Sequence, residues 1–437
     1  MSAPRLLVLM GSGETSPTMV KTHRELIARV GGAPAVLLDT PFGFQANADD
    51  LTQRAQAYFR DSVGTQLALA SYKSSAEIGS VAYERTLDLI RSAGYVFAGP
   101  GSPTYALSQW QDSAIPSLLR AKLIDGGCVT FASAAALTMG VVTVPVYEIY
   151  KVGAPAEWAP GLDLLSETGL SAAVIPHYNN AEGGNHDTRF CYLGEPRLAV
   201  METRLPDAAF VLGIDEHTGL VLDLDERQAT VVGIAQVTIR AHGRSATFEP
   251  GTTVTFAEIQ ATADALRSDE APAGGGPYGG TRAGGAREAG GPPPGRTREG
   301  QDPPPAPGTL RATIDTLAQA FDEAISSKNV EHATQITLDL EQALHDWSAD
   351  TLQGDDAERG RAALRSMVTR LAALAETGAR DPRDVLGPFV HALLGLRDAA
   401  RADKRYADAD AVRDSLVALG VEVRDTPEGT AWELGGA

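Results

Sequence analysis

Residues 128–140 read CVTFASAAALTMG. Val129, Thr130 and Phe131 are β-branched or aromatic and predict a short buried strand. Ala134 to Leu137 are strong helix formers, and Ser133 stands at the corner between the two. A strand that turns at once into a helix with a serine at the corner is the arrangement of a nucleophile elbow. Such a turn is tight and needs small neighbours, which Ala132, Ala134, Ala135 and Ala136 supply. The helix start beneath the serine offers N–H groups suited to an oxyanion. An Ala-rich buried junction with an incidental serine would read the same way.

Outward from this stretch, apolar runs alternate with segments of helical spacing. Strands are predicted at Leu6–Met10, Ala35–Leu38, Leu67–Ala70 and Tyr95–Ala98. Helices are predicted at 17–30, 48–59, 81–90 and 115–124. Continuous apolar strands separated by helices predict an α/β fold, a doubly wound parallel sheet covered on both faces. Active sites in such sheets lie at the carboxyl ends of the strands. Three small-residue turns fall there: Gly11-Ser12-Gly13, Gly99-Pro100-Gly101-Ser102 and the Ser133 corner. The first invites a dinucleotide reading, but Ser16 stands where the third glycine belongs and no ribose-binding acid follows. No cofactor is expected.

From Ala208 the period changes to short runs broken by Asp, Glu and Gly, which predict antiparallel hairpins closing the domain. Residues 268–308 then lose all hydrophobic periodicity and read as a disordered Gly/Pro linker. Beyond it, 310–325, 329–347, 358–376 and 388–403 have helical spacing, with a short strand at Val421–Val423. The expected domains are 1–267, the linker 268–308, and a small, mostly α-helical domain 309–437. A net charge of −19 argues against a nonspecific nucleic-acid coat, though not against a small specific site. Two cysteines, Cys128 and Cys191, allow no disulfide framework and fit a reducing cytosol. The opening MSAPRLLVLMGSGE has an apolar run too short for a signal peptide. No run reaches 18 apolar residues, so no membrane partner is expected. A metal set of Glu182, His186 and Asp187 lacks a partner pair at helical spacing, and no metal is expected.

Four landmarks occur in order: Tyr95-Val96-Phe97-Ala98-Gly99-Pro100-Gly101-Ser102; Ser133-Ala134-Ala135-Ala136; Gly161-Leu162-Asp163-Leu164-Leu165 followed by Ile175-Pro176-His177-Tyr178; and Gly213-Ile214-Asp215-Glu216-His217-Thr218-Gly219. With them, residues 5–245 resemble the cyanophycinase and aspartyl-dipeptidase family of serine peptidases, which share a fold with class I glutamine amidotransferases. The resemblance implies Ser133 as nucleophile and His177 as its base. It places the orienting acid between serine and histidine, where Glu148 is best spaced and Asp163 is the alternative. A serine needs a base for its proton, and the base needs an acid to fix its tautomer. Gly101 and Ala134 would supply the oxyanion donors. Arg189 and Arg197 could clamp a substrate carboxylate, with Asn179 beside them on the substrate side. The elbow departs from the family at Phe131 and Ala135, where glycines are usual. The expected substrate is a small peptide or related acyl compound.

Residues 393–434 carry a second resemblance, to the C-terminal anticodon-recognition segment of cysteinyl-tRNA synthetases. The residues are Arg397, Ala400-Arg401, Lys404, Ala409-Asp410, Arg413-Asp414, Leu419-Gly420, Asp425-Thr426-Pro427, Gly429-Thr430 and Trp432. It implies a cysteine-type tRNA as partner, held by Arg397, Arg401, Lys404, Arg405 and Arg413, with Trp432 stacked on a base. No His-x-Gly-His and no Lys-Met-Ser-Lys-Ser occurs, so no aminoacyl-tRNA ligase activity is expected. Three readings follow: a serine hydrolase, a tRNA-linked activity on an aminoacyl ester, and a non-catalytic binding protein whose elbow has decayed at Phe131.

Overall fold

The computed structural model describes residues 3–181, 186–268, 308–350, 355–377, 382–426 and 429–434. The expected linker, except for Ser268 and Gly308, lies outside them, as does Pro427. The chain forms two compact units, residues 1–313 with 342–359, and residues 314–341 with 360–437. Residues 309–313 and 342–359 thus group with the first unit, where the sequence placed them in the second.

The first unit begins with β1 (Arg5–Met10), α1 (Val20–Arg29), β2 (Ala35–Leu38), α2 (Ala48–Tyr58), β3 (Leu67–Ala70), α3 (Val81–Ser92) and β4 (Tyr95–Ala98). It continues with α4 (Pro103–Trp110), α5 (Ile115–Asp125), β5 (Gly127–Ala132) and the short α6 (Ala134–Leu137). Strands β1, β5, β4, β2 and β3 lie side by side in that order and pair in parallel. Successive side chains point to opposite faces of a strand, and here both faces are apolar and covered. Leu7, Leu9, Val36, Leu38, Val96, Val129 and Phe131 enter one core. Their alternates Leu6, Val8, Met10, Ala35, Leu37, Phe97 and Cys128 enter another. This is the doubly wound α/β arrangement.

The remaining strands divide between two sheets. After β6 (Val142–Thr143), β7 (Ala159–Pro160), β8 (Ala172–Ile175) and α7 (Gly194–Glu202) come β9 (Phe210–Ile214), β10 (Thr218–Asp223), β11 (Gln228–Gly233), β12 (Val237–Ala241), β13 (Arg244–Phe248), β14 (Thr253–Thr255) and α8 (Phe256–Arg267). Strands β10, β11 and β14 extend the first sheet antiparallel from β1. Strands β13, β12, β9, β8, β6 and β7 form a second, six-stranded sheet. The segments from 208 onward form antiparallel hairpins as expected, β10 with β11 in the first sheet and β12 with β13 in the second. Successive strands β9 and β10 lie in different sheets, and the chain crosses between them at Asp215–His217.

The second unit holds most of the helices α9 (Leu310–Ser326), α10 (Val330–Asp346) and α11 (Asp356–Thr377). It also holds α12 (Pro382–Ala402), α13 (Tyr406–Ala418) and the hairpin of β15 (Val421–Thr426) and β16 (Gly429–Leu434). Val390, Leu394, Leu416 and Val421 make the core of this last part. Helix α12 begins at Pro382, so Pro388 lies inside it and not at its start. No helix among the described residues is long and apolar enough to cross a membrane.

Candidate active site

Strand β5 ends at Ala132, and Ser133 turns with φ 50° and ψ −120° into α6. A positive φ is uncommon for a residue with a Cβ and persists only where its surroundings enforce it. Here the Ser133 N–H donates to the Met10 carbonyl (3.1 Å), and the Ala135 N–H donates to the Gly99 carbonyl (3.2 Å). The Phe131 ring does not enter the turn. It is fully buried in the core, 5.6 Å from the Trp110 ring, because its side chain belongs to the face of β5 that packs under the sheet.

Ser133 Oγ is hydrogen-bonded to His177 Nε2 at 2.8 Å. Nδ1 of the same ring faces Glu216 Oε1 at 3.0 Å. The side-chain amide of the buried Asn180 also donates to Glu216 Oε1 (3.1 Å), and the Glu216 N–H donates to Asn179 Oδ1 (2.8 Å). Burial drives the Glu216 carboxyl up, but the bonds from His177 and Asn180 and the nearby histidines together outweigh it. Its pKa lies below the ordinary value. An ionised acid thus sits against the histidine that touches the serine.

The carboxylate on His177 is not the one expected. Glu148 accepts from Thr104 Oγ1 (2.7 Å), and the Asp163 carbonyl accepts from Arg120 and Ser166; neither residue is bonded to His177. Strand register explains the correction. Strands β8 and β9 pair in parallel with Ile175 opposite Gly213, so the residues just past each strand, His177 and Glu216, emerge side by side. The acid therefore follows the histidine in the chain. Such constellations are defined by geometry and not by sequence order, and the doublet Asp215-Glu216 at a strand end was the available signal.

The Gly11-Ser12-Gly13 turn serves the same place. A Cβ on Gly11 would lie 2.0 Å from the Asp215 carbonyl oxygen, and one on Gly13 would lie 2.1 Å from His217 Nδ1. These glycines are bare because the segment carrying Glu216 lies directly on them.

A cleft of about 360 Å³ opens beside Ser133 and His177. Gly101 and Ala134, the expected oxyanion donors, line it, together with Tyr147, Tyr150, Tyr192 and Lys151. Arg189 and Arg197 do not. The Arg189 fork is held by Asp187 (2.8 Å for each bond), and exposed Arg197 reaches the Leu193 carbonyl. Asn179 supports Glu216. The lysine lining the cleft is Lys151, on the helical turn Glu148–Val152. Of the metal set considered, Glu182 lies outside the described residues, and Asp187 is engaged by Arg189.

In the second unit Arg397 is 3 % exposed and forks onto Asp425 with two bonds of 2.8 Å. Arg401 binds the same carboxylate (2.8 Å), whose pKa is held far below the usual range by these two guanidiniums. Trp432 is half-buried against the local core and donates to His391. Arg397 and Trp432 are thus parts of the packing, not free recognition groups. Lys404, Arg405 and Arg413 are exposed. Arg405 pairs with Asp403 and Asp408, and Lys404 has no ion pair among the described residues.

The first unit is thus a doubly wound α/β unit whose strained Ser133 corner is hydrogen-bonded to His177, which in turn faces the Glu216 carboxylate. Comparison with known proteins adds three findings. Residues 383–432 match the family described as the cysteinyl-tRNA ligase anticodon binding domain. Among curated proteins the chain is similar to the cysteine–tRNA ligase of Salinibacter ruber, 36% identical over 137 residues, which cover 29% of this chain and 26% of the relative. It is also similar to that of Nitratidesulfovibrio vulgaris, 33% identical over 162 residues, covering 32% of each. The chain spans about a quarter to a third of the length of these relatives. Among solved structures it is similar to a peptidase from an acI-B1 Actinobacterium, at 19% identity and a TM-score of 0.48, covering 58% of this chain and 97% of that one.

Proposed function

We propose that the first unit is a serine hydrolase cleaving a peptide, isopeptide or related acyl bond. The observation that carries this reading is the unbroken line Ser133–His177–Glu216 opening on a cleft. His177 takes the proton of Ser133 as its Oγ attacks the acyl carbon. Glu216 holds the ring in the required tautomer and stabilises the imidazolium. Backbone N–H groups of Gly101 and Ala134 receive the oxyanion. His177 then protonates the leaving amine or alcohol, and water releases the acyl group from Ser133 in a second round of the same chemistry. A fluorophosphonate probe tests this. Wild type should label, Ser133→Ala should not, and His177→Ala should label weakly; equal labelling of wild type and Ser133→Ala removes Ser133 from the mechanism.

The match at 383–432 supports a second activity, tRNA binding by the tail. With Arg397 buried on Asp425 and Arg401 sharing that carboxylate, phosphate contact falls to the exposed Lys404, Arg405 and Arg413, the last two exchanging ion pairs with neighbouring aspartates for phosphate. So few contacts imply a gentle salt dependence, a slope of roughly two to three counterions. Binding of the full chain to cysteine-type and unrelated tRNAs at two salt concentrations tests it. Equal affinities, or no binding at low salt, would reduce the tail to a structural module.

A further inference from the structure

Behind the strand end that carries Gly99-Pro100-Gly101 lies a second cavity of about 220 Å³, distinct from the Ser133 cleft. Its walls are apolar, with Leu37, Phe42 and Phe97 among them, and Glu14, Asp350 and Arg54 are its charged residues. Glu14 is 1 % exposed, and neither of its carboxylate oxygens has a hydrogen-bond partner. Its backbone is fixed, since the carbonyl accepts from His23 Nε2 at 2.7 Å. A buried carboxyl without donors is costly to keep, and buried polar groups ordinarily find partners. Burial pushes its pKa up to about 7, and a cation beside the carboxyl would offset the cost of ionising it. Arg54 is on the exposed side of α2, which leaves the inner end of the cavity acidic.

We propose that this cavity binds a small primary ammonium carrying an apolar tail, with the nitrogen on Glu14 and the tail against Leu37, Phe42 and Phe97. The space suits such a ligand, being larger than the roughly 150 Å³ apolar cavity that accepts benzene. Three donors on an ammonium match a carboxylate with two vacant oxygens. The site adjoins the elbow: a Cβ on Gly99 would stand 3.4 Å from Glu14 Oε1, and the Gly99 carbonyl receives the Ala135 N–H. Two sources share this chemistry, a simple amine and an amino acid whose carboxylate would reach Arg54.

Calorimetry on the full chain at pH 8 with isopentylamine, L-leucine and isovalerate tests the site. Isopentylamine should bind and isovalerate should not. Glu14→Gln should weaken the amine at least tenfold, and Ala55→Phe, which fills the cavity from α2, should abolish binding while the melting transition is retained. Tighter binding of L-leucine than of the amine, lost in Arg54→Met, identifies an amino acid; equal binding identifies the amine. Binding of isovalerate as tight as the amine, amine affinity unchanged in Glu14→Gln, or no amine binding at millimolar concentration overturns the proposal. The site does not rest on the serine chemistry, so Ser133→Ala should bind the same ligands, and loss of probe labelling there leaves this result untouched.

Discussion

Glu216 and Glu14 are the same residue type, one half-buried and one buried and both close to the elbow, yet their carboxyls shift in opposite directions. Glu216 faces His177 Nδ1, receives the Asn180 amide, and is held below its usual pKa. Glu14 receives nothing and is pushed up to about 7. Burial acts on both in the same direction, so the difference lies in the donors that the fold delivers. A carboxylate beside a proposed base must stay ionised at neutral pH, and Glu216 has the partners for that.

The sharpest way to break the comparison is to remove the charge at Glu216. Under the proposed mechanism Glu216→Gln leaves His177 without its acid, and turnover or probe-labelling rate should fall about 10⁴-fold. Glu148→Gln should change it by less than threefold. If Glu148→Gln is the damaging change, the orienting role belongs elsewhere.

Glu14 should show itself in stability. Its folded pKa of about 7 lies above the unfolded value of 4.5, so the folded state holds the extra proton between these values. Its contribution is complete below about pH 4.5 and is lost as pH rises through 7, about 3 kcal/mol in all. Asp215, raised by burial to about 7 as well, acts with the same sign. Denaturant unfolding from pH 4.5 to 8 should therefore show wild type falling more steeply than Glu14→Gln. Parallel curves would mean that Glu14 already has a partner.

A buried charge whose two terminal nitrogens are partnered occurs in the second unit as well, at Arg397. Arg397→Met leaves Asp425 with only Arg401 and the Thr430 hydroxyl and should cost about 2 kcal/mol, lowering the transition of that unit by roughly 10 °C in calorimetry of the full chain. Lys404→Ala should leave melting unchanged and affect only RNA affinity. A small effect is also expected at Asn180. Asn180→Ala removes one donor from Glu216, so its pKa rises, and the acid limb of the activity profile should move to higher pH with less than a tenfold loss at pH 8. An unmoved limb would assign that limb to another group.

Local chemistry was sufficient for much of the molecule. β-Branched runs alternating with helical spacing specified the doubly wound sheet, because a strand apolar on both faces must be covered on both. The serine at a strand–helix corner among alanines was legible for the same reason, being set by residues within a few positions of itself, whereas His177 was reached only through the family resemblance.

What lay beyond the sequence were pairings between distant segments. Which carboxylate meets His177 depends on the register of β8 against β9 and on the crossing from one sheet to the other at Asp215–His217. Spacing along the chain pointed to Glu148, and no local preference could correct it. Why Gly11 and Gly13 are bare is likewise not local: the segment bearing Glu216 lies on them. Arg397 looked like an RNA contact until β15 brought Asp425 to it. The sequence by itself determined the strands, the helices and the serine corner, since backbone propensity and burial pattern act over a few residues. Only the tertiary structure decided which buried charges have partners, because a hydrogen bond depends on positions fixed by the whole fold.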